Sequence, residues 1–389
     1  MLILFMKIVH LCLSAFFIDN YSYQENLITK YHAKQGHEVT VIASLLSFNK
    51  EGLPYYMDGP SEYVNNDGVK VIRIAYKKPF VKINRLLGHY EDFEEKLEDE
   101  HPDIIFAHNF SMVDASILKH YIVSHSGVVF YADNHADYIN SGKNFLSKNV
   151  LHPIIWRHYA KMLEPYMIKC YGVTPMRCRF LVEMYHIAPQ KVLFLPLGVD
   201  DDAIPADRQS VRASIRKELS VKEDDVLILT GGKIDKLKNI HILLEAIRQM
   251  KNSKIHLVIC GVLTPEMSYL EEIIRIMPNI HYMGWCNANQ VMNYMIAADC
   301  VCFPGTHSSL WEQSVGVGIP AIFKRWDEMD HVNVNGNCIF VTGEDVDELK
   351  MAISSMLEPK AYQGYQEKAA AASRMFLYSE ISKKAISSN

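Results

Sequence analysis

Val226–Glu245 reads VLILTGGKIDKLKNIHILLE, and this stretch decides the fold class of the chain. It begins as a short apolar strand, and two glycines, Gly231 and Gly232, follow at once. Two lysines, Lys233 and Lys238, stand five residues apart across a turn, and apolar residues then recur at helical spacing. The pattern predicts a strand, a glycine loop and a helix in direct succession, which is one βα unit of an open α/β sheet.

The loop of this unit has the composition of a phosphate-binding turn. Glycine lets the backbone approach a ligand closely, and the free N–H groups at a helix start favour an anion. Two lysine side chains add positive charge beside it. We therefore expect a diphosphate-binding site at residues 231–238. The alternative is an ordinary glycine turn with solvated lysines.

Length and composition limit the possible classes of protein. A chain of 389 residues suits two domains, and contents of 49% hydrophobic and 22% charged residues are typical of a soluble globular protein. The formal net charge of −5 creates no overall field that would attract nucleic acid. We expect no nucleic-acid partner.

The cysteines and the start of the chain predict a cytoplasmic location. The eight cysteines include no Cys-x-x-Cys pair, and several lie inside apolar runs, as buried free thiols do in a reducing compartment. Lys7 interrupts the apolar start and no small-residue cleavage site follows, so no export signal is expected. No run reaches the ~18 apolar residues of a spanning helix. A peripheral contact with the inner face of a membrane stays open.

Short apolar strands alternate with helical patterns along the chain, which predicts two parallel sheets built from βαβ units. A linker containing proline and glycine, Pro196–Asp202, separates the two series. We expect domains at residues 1–200 and 201–360, with 361–389 forming a helical segment that crosses back to the first domain. The predicted strands are Lys7–Leu13, Glu38–Ala43, Val69–Ile74, Ile104–Ala107, Val128–Tyr131, Cys170–Val173, Val192–Leu195, Val226–Leu229, Ile255–Cys260, Ile280–Met283, Cys300–Phe303, Ala321–Phe323 and Cys338–Phe340.

A basic and apolar stretch covers residues 77–90. Lys77, Lys78, Lys82 and Arg85 are interleaved there with large apolar side chains. A stretch of this kind can lie on an anionic membrane surface or bind a lipid-linked acceptor. It predicts a peripheral membrane contact, and the alternative is an ordinary loop with one buried side.

A second polar loop follows the predicted strand Cys300–Phe303. It contains His307, Ser308 and Ser309, and it leads into a helix with Glu312 near its start. Hydroxyl and backbone donors suit an anion, and a carboxylate suits the vicinal hydroxyls of a ribose. The alternative role of this glutamate is to complement the helix dipole.

These motifs resemble those of the retaining glycosyltransferases of family 4. The segment from Gly232 and Lys233 to Lys238 is similar to the phosphate loop of that family, with lysine in place of the usual arginine. Gly284 and Trp285 follow a predicted strand and resemble the turn that borders the family's base pocket.

The resemblance extends over most of the chain. Glu312, followed by Gly318-x-Pro320, is similar to the second of two paired glutamates and the Gly-x-Pro motif behind it. Segments of the first half are similar as well, namely Gly36–Val39, Pro102–Ile105 and Pro196–Asp200.

Two features depart from the family pattern. Pro304 stands eight residues before Glu312, where the family has the first glutamate of the pair, which holds the donor sugar. The glycine pair that usually follows the first strand is replaced by Asp19–Tyr23. The identity of the donor sugar is therefore open.

The resemblance implies a GT-B fold, in which two Rossmann-like domains face each other across a deep cleft. It also implies a metal-independent enzyme that moves a sugar from a nucleotide diphosphate donor to a carbohydrate or lipid-linked acceptor with retained configuration, in surface polysaccharide assembly. The nucleotide sugar is then a substrate, and no cofactor and no metal are expected. The alternatives are a catalytically silent subunit that binds a nucleotide sugar, and a nucleotide-sugar epimerase.

The expected site residues fall into two groups. We expect Lys233 and Lys238 to neutralise the leaving diphosphate. His135, after the strand Val128–Tyr131, resembles the family's histidine that faces the donor sugar, and His307 would contact the sugar from the polar loop before Glu312. The residues expected to bind the donor are Gly231, Gly232, Gly284, Trp285, Ser308, Ser309 and Glu312.

Overall fold

The chain forms two compact units in the computed structural model, which describes residues 5–49, 53–142, 144–326 and 328–387. One unit comprises Met1–Pro196 with Ile381–Asn389, and the other comprises Leu197–Glu380. The boundary lies inside the stretch interpreted as the linker. The return to the first unit comes at Ile381 and not at residue 361, because the helix Pro359–Ser373 packs its small buried residues against the second unit.

The first unit contains an eight-stranded sheet. Its strands and those of a small hairpin are β1 (Lys7–Cys12), β2 (Glu38–Ser44), β3 (Leu46–Phe48), β4 (Pro54–Tyr56), β5 (Ser61–Val64), β6 (Lys70–Ile74), β7 (Ile104–His108), β8 (Val129–Asn134), β9 (Met167–Gly172) and β10 (Val192–Phe194). The order across the sheet is β10-β9-β8-β7-β1-β2-β6-β5, while β3 pairs with β4. Neighbouring strands are parallel except for the edge strand β5, which runs antiparallel to β6.

Helices cover both faces of this sheet. They are α1 (Gln24–Lys34), α2 (Val81–Leu87), α3 (Phe93–Glu100), α4 (Ala115–Ser124), α5 (Arg157–Leu163) and α6 (Pro175–Glu183), and a π-helical stretch, Ser147–Trp156, precedes α5. The central strands are buried along almost their full length, as expected for strands covered on both sides.

The second unit contains a six-stranded parallel sheet. Its strands are β11 (Val226–Gly231), β12 (Ile255–Cys260), β13 (Ile280–Gly284), β14 (Cys300–Phe303), β15 (Ala321–Lys324) and β16 (Cys338–Val341). Its helices are α7 (Arg208–Glu218), α8 (Ile240–Met250), α9 (Leu270–Arg275), α10 (Ala288–Ala297), α11 (Leu310–Val317), α12 (Val346–Met356) and α13 (Pro359–Ser373), and α14 (Tyr378–Ala385) enters the first unit at Ile381.

The order of the second sheet, β13-β12-β11-β14-β15-β16, defines where a ligand can bind. From β11 the chain continues to one edge through β12 and β13, and from β14 it continues to the other. The loops after β11 and β14 therefore separate at the carboxyl end of the sheet and leave a crevice, the usual ligand position in open α/β sheets. The first sheet has the same kind of switch point between β1 and β7.

Candidate active site

The glycine loop after β11 packs against the backbone of its neighbour. A Cβ atom on Gly231 would lie 2.2 Å from the carbonyl oxygen of Cys260, and one on Gly261 would lie 1.8 Å from that of Gly232. Gly232 has a φ of +110°, which a side chain would strain. These positions require glycine because two strand ends meet closely, so the backbone contact expected with a ligand is here a contact within the sheet.

The two lysines of this loop have different surroundings. Lys238 is partly buried, and its Nζ donates to the carbonyl oxygens of Thr306 (2.7 Å) and His307 (3.2 Å). Burial lowers the pKa of Lys238, and Asp235 partly offsets this effect. Lys233 is exposed. The structure thus places Lys238 at the switch point and leaves Lys233 on the surface.

A narrow crevice lies between the loops that follow β11 and β14. Its lining includes Thr230, Gly231, Lys238, Gly305 and Ser308. Gly305 is required here, because a Cβ atom on it would lie 2.3 Å from the backbone of Lys238. The structure therefore brings the predicted residues Gly231, Lys238 and Ser308 together.

Helix α8 begins beside this crevice. Asn239, which precedes the helix, has a left-handed backbone with a φ of 55°, and its side chain does not cap the helix. Instead its Nδ2 donates to the carbonyl oxygens of Pro304 (3.1 Å) and Gly343 (2.9 Å). The first N–H groups of α8 are thus not capped by Asn239, and they favour an anion near the ammonium of Lys238.

The turn expected to border a base contacts the glycine loops. Gly284 has a φ of 64°, and its carbonyl oxygen accepts from the N–H of Gly261 at 2.6 Å. Trp285 follows with 72% of its surface exposed. A large exposed aromatic ring next to a fixed turn can stack on a planar group.

Glu312 lies in the first turn of α11 and is completely buried. Its Oε1 is 2.7 Å from Nε2 of His307 and 2.8 Å from Nε2 of His331. Burial alone would raise the pKa of Glu312, but the two imidazoles outweigh it and hold the pKa well below its usual range. Its Oε2 has no hydrogen-bond partner among the described residues. We call these three side chains the glutamate cluster.

The glutamate cluster changes the expectation for Glu312. A ribose hydroxyl does not reach a fully buried carboxylate unless the loop around His307 moves. The ring of His307, which contacts the carboxylate, is itself only 15% exposed. Ser309, which precedes α11, is exposed and makes no side-chain cap. Sequence reasoning missed His331, since it lies 19 residues beyond Glu312 and belongs to no local motif.

The predicted first-unit residue, His135, follows β8 at the other switch point. The backbone N–H of His135 donates to Oδ1 of Asn109 at 3.0 Å. Its Nε2 lies 3.5 Å from Oδ1 of Asp133 and 3.8 Å from Oε1 of Glu25. Burial lowers the pKa of His135, but the two carboxylates outweigh it and the pKa is raised.

A polar cleft of about 320 Å³ opens beside His135. Its lining combines hydroxyl and amide side chains with imidazole and indole rings, namely Ser14, Asn109, Ser111, Asn140, His152 and Trp156. Such groups can exchange hydrogen bonds with hydroxyls while a ring covers an apolar face. The lining has the chemistry of a carbohydrate site.

Two groups of side chains in the described residues bring three ligand-type atoms within 4.8 Å of one another: Glu25, His108 and His135, and the glutamate cluster. In the first group both ring nitrogens of His108 are already hydrogen-bonded. In the glutamate cluster the carboxylate accepts from both imidazoles. Hydrogen bonds account for both arrangements, and the absence of a metal requirement stays a prediction.

Two family descriptions match the chain, and each falls largely within one unit. "Glycosyltransferase Family 4" matches residues 26–203, and "Glycosyl transferases group 1" matches residues 211–373. The second match contains the glycine loop, the crevice and the glutamate cluster, and the first contains His135. This chain is a glycosyltransferase family 4-like protein.

A curated relative of this family 4-like protein is the processive diacylglycerol alpha-glucosyltransferase of Acholeplasma laidlawii. The two are 26% identical over 171 residues, which is 42% of this chain and 49% of the relative. The chain thus spans about half the length of that curated relative.

Solved structures show the same fold. A glycosyltransferase of Rickettsia africae has a TM-score of 0.66 at 15% identity, with 99% of this chain and 100% of the other covered. Anabaena HepE in complex with UDP-glucose has a TM-score of 0.62 at 14% identity, with 98% of each chain covered. The predicted family resemblance and the GT-B fold of two Rossmann-like units are confirmed, while the roles of single residues stay predictions. No helix in the described part of the chain has the length and apolar character to cross a membrane.

Proposed function

We propose that this family 4-like protein is a retaining glycosyltransferase that moves a sugar from a nucleoside diphosphate donor to a carbohydrate or lipid-linked acceptor, in surface polysaccharide assembly. The observation that supports it most is the crevice at the second switch point, where Lys238 and the start of α8 meet. The UDP-glucose complex of Anabaena HepE and the lipid acceptor in the name of the Acholeplasma relative agree with both substrate classes.

Donor binding would depend mainly on Lys238. Negative charge builds on the diphosphate as the glycosidic bond breaks, and a fixed ammonium beside a helix N-terminus stabilises that charge. The carbonyl oxygens of Thr306 and His307 hold the ammonium in place before the ligand arrives. Lys233 is exposed and would add a weaker, solvent-screened attraction. With lysine in this role we propose that no metal is required, so excess chelator should leave the transfer rate unchanged.

His307 and Trp285 would complete the donor site. The hydrogen bond to Glu312 orients the ring of His307, which then contacts a hydroxyl of the donor sugar. Trp285 would stack on the base. Glu312 would accept from the ribose through its unpartnered Oε2 once the loop around His307 moves.

The acceptor would bind in the polar cleft of the first unit. His135 is held by Asn109 and polarised by two carboxylates, so it can exchange a proton or a hydrogen bond with an acceptor hydroxyl. A lipid-linked acceptor would also require contact with a membrane. Phe80, which precedes helix α2, and Ile83 and Leu86 on the helix have 66%, 56% and 78% of their surface exposed, and Lys77 and Lys78 are exposed nearby in the sequence.

The decisive experiment measures release of nucleoside diphosphate. A thermal-shift panel of nucleotide sugars first identifies the donor, because a ligand that binds only the folded state raises the apparent melting temperature. Release of the nucleoside diphosphate from this donor is then measured with and without an extract that contains acceptor. Release that requires acceptor supports a transferase. Donor isomerisation without acceptor supports the epimerase, and binding without turnover supports the silent subunit, which the proline in place of the first glutamate favours.

The membrane proposal has its own test. Flotation with vesicles that contain anionic lipid should carry the protein upward, and neutral vesicles should not. Replacing Phe80 and Leu86 together by Ser should abolish flotation, whereas replacing the exposed Val123 on α4 by Ser should not. Equal flotation of both variants would contradict a contact through α2.

A further inference from the structure

Three buried histidines form a continuous hydrogen-bonded line through the first unit. His10 on β1 lies in the middle: its Nδ1 is 3.0 Å from Nε2 of His108, and its Nε2 is 3.0 Å from Nδ1 of His32. Nδ1 of His108 lies 2.8 Å from Oδ2 of Asp133, and Nε2 of His32 lies 2.9 Å from the carbonyl oxygen of Ser382. We call these five groups the histidine line.

The two ends of the histidine line fix its proton content. A carbonyl oxygen and an ionised carboxylate can only accept hydrogen bonds. Four contacts join the five groups, and each contact needs one proton. Three neutral imidazoles carry three protons, so the line is complete only when one of its histidines is an imidazolium with both nitrogens protonated.

The geometry points to His108 as the place of the fourth proton, because this ring lies beside the carboxylate of Asp133. Burial and the neighbouring imidazoles hold the pKa of His10 well below its usual value, and burial lowers the pKa of His32 to about 3, so both are neutral. Burial would raise the pKa of Asp133, but His108 and His135 outweigh it and the pKa is lowered. His108 therefore donates to Asp133 and to His10, and His10 and His32 each carry their proton on Nε2.

Residues 381–387 supply the acceptor at the end of the histidine line opposite Asp133, namely the Ser382 carbonyl that His32 contacts. Several carbonyl oxygens of this segment accept from side chains of the first unit, among them that of Lys384 from the hydroxyl of Tyr171 (3.1 Å) and that of Ser387 from the ammonium of Lys169 (2.8 Å). The hydroxyl of Ser382 accepts from the amide of Gln35 at 2.7 Å. These contacts hold the Ser382 carbonyl in position for His32.

The Asp133 end of the histidine line lies next to His135. Oδ2 of Asp133 accepts from His108, and its Oδ1 accepts from the backbone N–H of Asn109 at 3.2 Å. That same Oδ1 is the atom 3.5 Å from Nε2 of His135. Rotation or protonation of the Asp133 carboxylate would thus change the hydrogen bonding and the charge beside the imidazole of His135.

We propose that the histidine line is a positioning device, in which the docked carbonyl of Ser382 fixes the proton arrangement of His32, His10 and His108 and so holds the Asp133 carboxylate toward His135. These are positioning residues, because none of them lies in the lining of the cleft. The proposal rests on the proposed function in that His135 is taken to contact substrate. The line holds a proton and does not conduct one, since the backbone carbonyl at its Ser382 end neither gives nor takes a proton.

A purely structural role for the line makes different predictions. Buried polar groups can often be replaced by apolar ones of similar size without loss of stability. If the line served the core alone, an apolar replacement that folds would leave His135 unchanged. A positioning device requires that such a replacement alter His135 even where the fold is intact.

The first test uses the unaltered protein labelled with ¹⁵N-histidine. At about neutral pH, NMR should show one histidine of the line with both nitrogens protonated and two neutral rings protonated on Nε2. Substitution of each histidine by glutamine in turn assigns the signals. Three neutral rings, or protons on Nδ1 of His10 and His32, would overturn the proposal without any assay of activity.

The second test compares His32→Leu with His32→Gln, because glutamine keeps a donor for Ser382 and an acceptor for His10. We expect His32→Leu to lower the transfer rate by about tenfold or more while nucleoside diphosphate affinity changes by less than about twofold. His135 should titrate at a different pH in this variant, although Glu25 and Arg177 still face it. His32→Gln should lie within about threefold of the unaltered rate.

The control is His281→Leu, which breaks the histidine pair of the second unit, where Nε2 of His281 lies 3.1 Å from Nδ1 of His256. It should change neither the rate nor the titration of His135. A folded His32→Leu protein with the unaltered His135 titration would overturn the proposal. If no donor or acceptor supports transfer, the proposed function fails while the two NMR readouts still decide the histidine line.

Discussion

Both units contain a buried carboxylate that contacts imidazoles, but the two arrangements differ in shape. In the first unit Asp133 is one end of the histidine line. Each histidine is hydrogen-bonded to the next, and the last one contacts the backbone carbonyl of Ser382. In the glutamate cluster two imidazoles converge on one oxygen of Glu312, and the other oxygen has no partner among the described residues.

The difference separates a closed arrangement from an open one. Every ring nitrogen of the histidine line has a partner, so none of these nitrogens is left for a ligand. The glutamate cluster retains an acceptor atom that a ligand can use, beside a ring that reaches solvent. We therefore expect the histidine line to govern stability and positioning, and the glutamate cluster to govern contact with substrate. The following predictions test this contrast, from the largest expected effect to the smallest.

Asp133→Asn should have the largest effect on stability. In the proposed arrangement it leaves a protonated His108 buried without its counter-charge, and breaking a buried ion pair from one side typically costs about 3–5 kcal/mol of unfolding free energy. Urea unfolding followed by Trp156, the one tryptophan of the first unit, measures the loss. Glu38→Gln, which breaks the exposed pair with Lys7 in the same unit, should leave the free energy of unfolding unchanged. Equal losses in the two variants would remove the distinction between buried and exposed pairs.

Acid should unfold the first unit at a higher pH than the second. The folded pKa values of His10 and His32 are lowered, that of His32 to about 3, so their stabilisation is complete above the unfolded value of about 6.5 and is lost as the pH falls below it. Each contributes about 1.4 kcal/mol per pH unit over that range. In the second unit burial also lowers the pKa values of His241, His256 and His281, but these rings are only partly buried and lose less stabilisation than the fully buried His10 and His32. Glu312, whose pKa is also lowered, begins to lose its stabilisation only below about pH 4.3.

The measurement uses tryptophan fluorescence in two variants. A chain that keeps Trp156 alone reports the first unit, and a Trp156→Phe chain reports the second through Trp285, Trp311 and Trp326. His32→Gln should make the acid unfolding of the first unit less steep. Coincident transitions in both reporters would contradict the expected order.

Glu312→Gln should cost less stability than Asp133→Asn, about 1–2 kcal/mol. The amide oxygen can still accept from both imidazoles, while the amide nitrogen replaces the oxygen that has no partner. Nucleotide affinity should fall less in Glu312→Gln than in Glu312→Ala, as measured by calorimetry. If Glu312→Ala binds nucleotide normally, the glutamate only complements the helix dipole and the cluster is structural.

Lys238→Ala should lower turnover by about tenfold or more, on the order of 1.4 kcal/mol of transition-state stabilisation, and should weaken binding of nucleoside diphosphate. Lys233→Ala is the matched control in the same loop and should have a smaller, salt-dependent effect because its side chain is exposed. Steady-state kinetics at two ionic strengths compare them. Unchanged kinetics in folded Lys238→Ala would contradict the proposal that the diphosphate binds in the crevice.

His307→Ala should have the smallest effect on binding. The carbonyl oxygen of His307 that Lys238 contacts belongs to the backbone and remains in the variant. Affinity for free nucleoside diphosphate should therefore stay nearly intact while transfer falls. Ser309→Ala, at an exposed position of the same loop, serves as control. Equal loss of binding and transfer would place the imidazole on the phosphate, and no loss of either would make it a surface residue.

Local sequence patterns predicted the sheets well. All thirteen predicted strands are present, because strands buried on both faces are continuous apolar runs that a single sequence displays. The short strands β3, β4 and β5 were not predicted. They are exposed or half-exposed, and pairing with a distant neighbour rather than hydrophobicity defines them.

The contacts of the site were less predictable for the same reason. Lys238 and His307 belong to separate motifs that only the β11–β14 adjacency brings together. His331 approaches Glu312 from a loop beyond the next strand, and Ser382 meets His32 across 350 residues of sequence. Such partners depend on topology, which neither periodicity nor local motif records.

The late return of the chain to its first unit has a consequence for biosynthesis. A polypeptide leaves the ribosome N-terminus first, and domains ordinarily fold in that order. Here the Ser382 carbonyl, which accepts from His32 in the first unit, follows the whole of Leu197–Glu380. The nascent first unit therefore lacks the Ser382 acceptor of His32 throughout the synthesis of its neighbour, and the histidine line is complete only after residue 382 has been added.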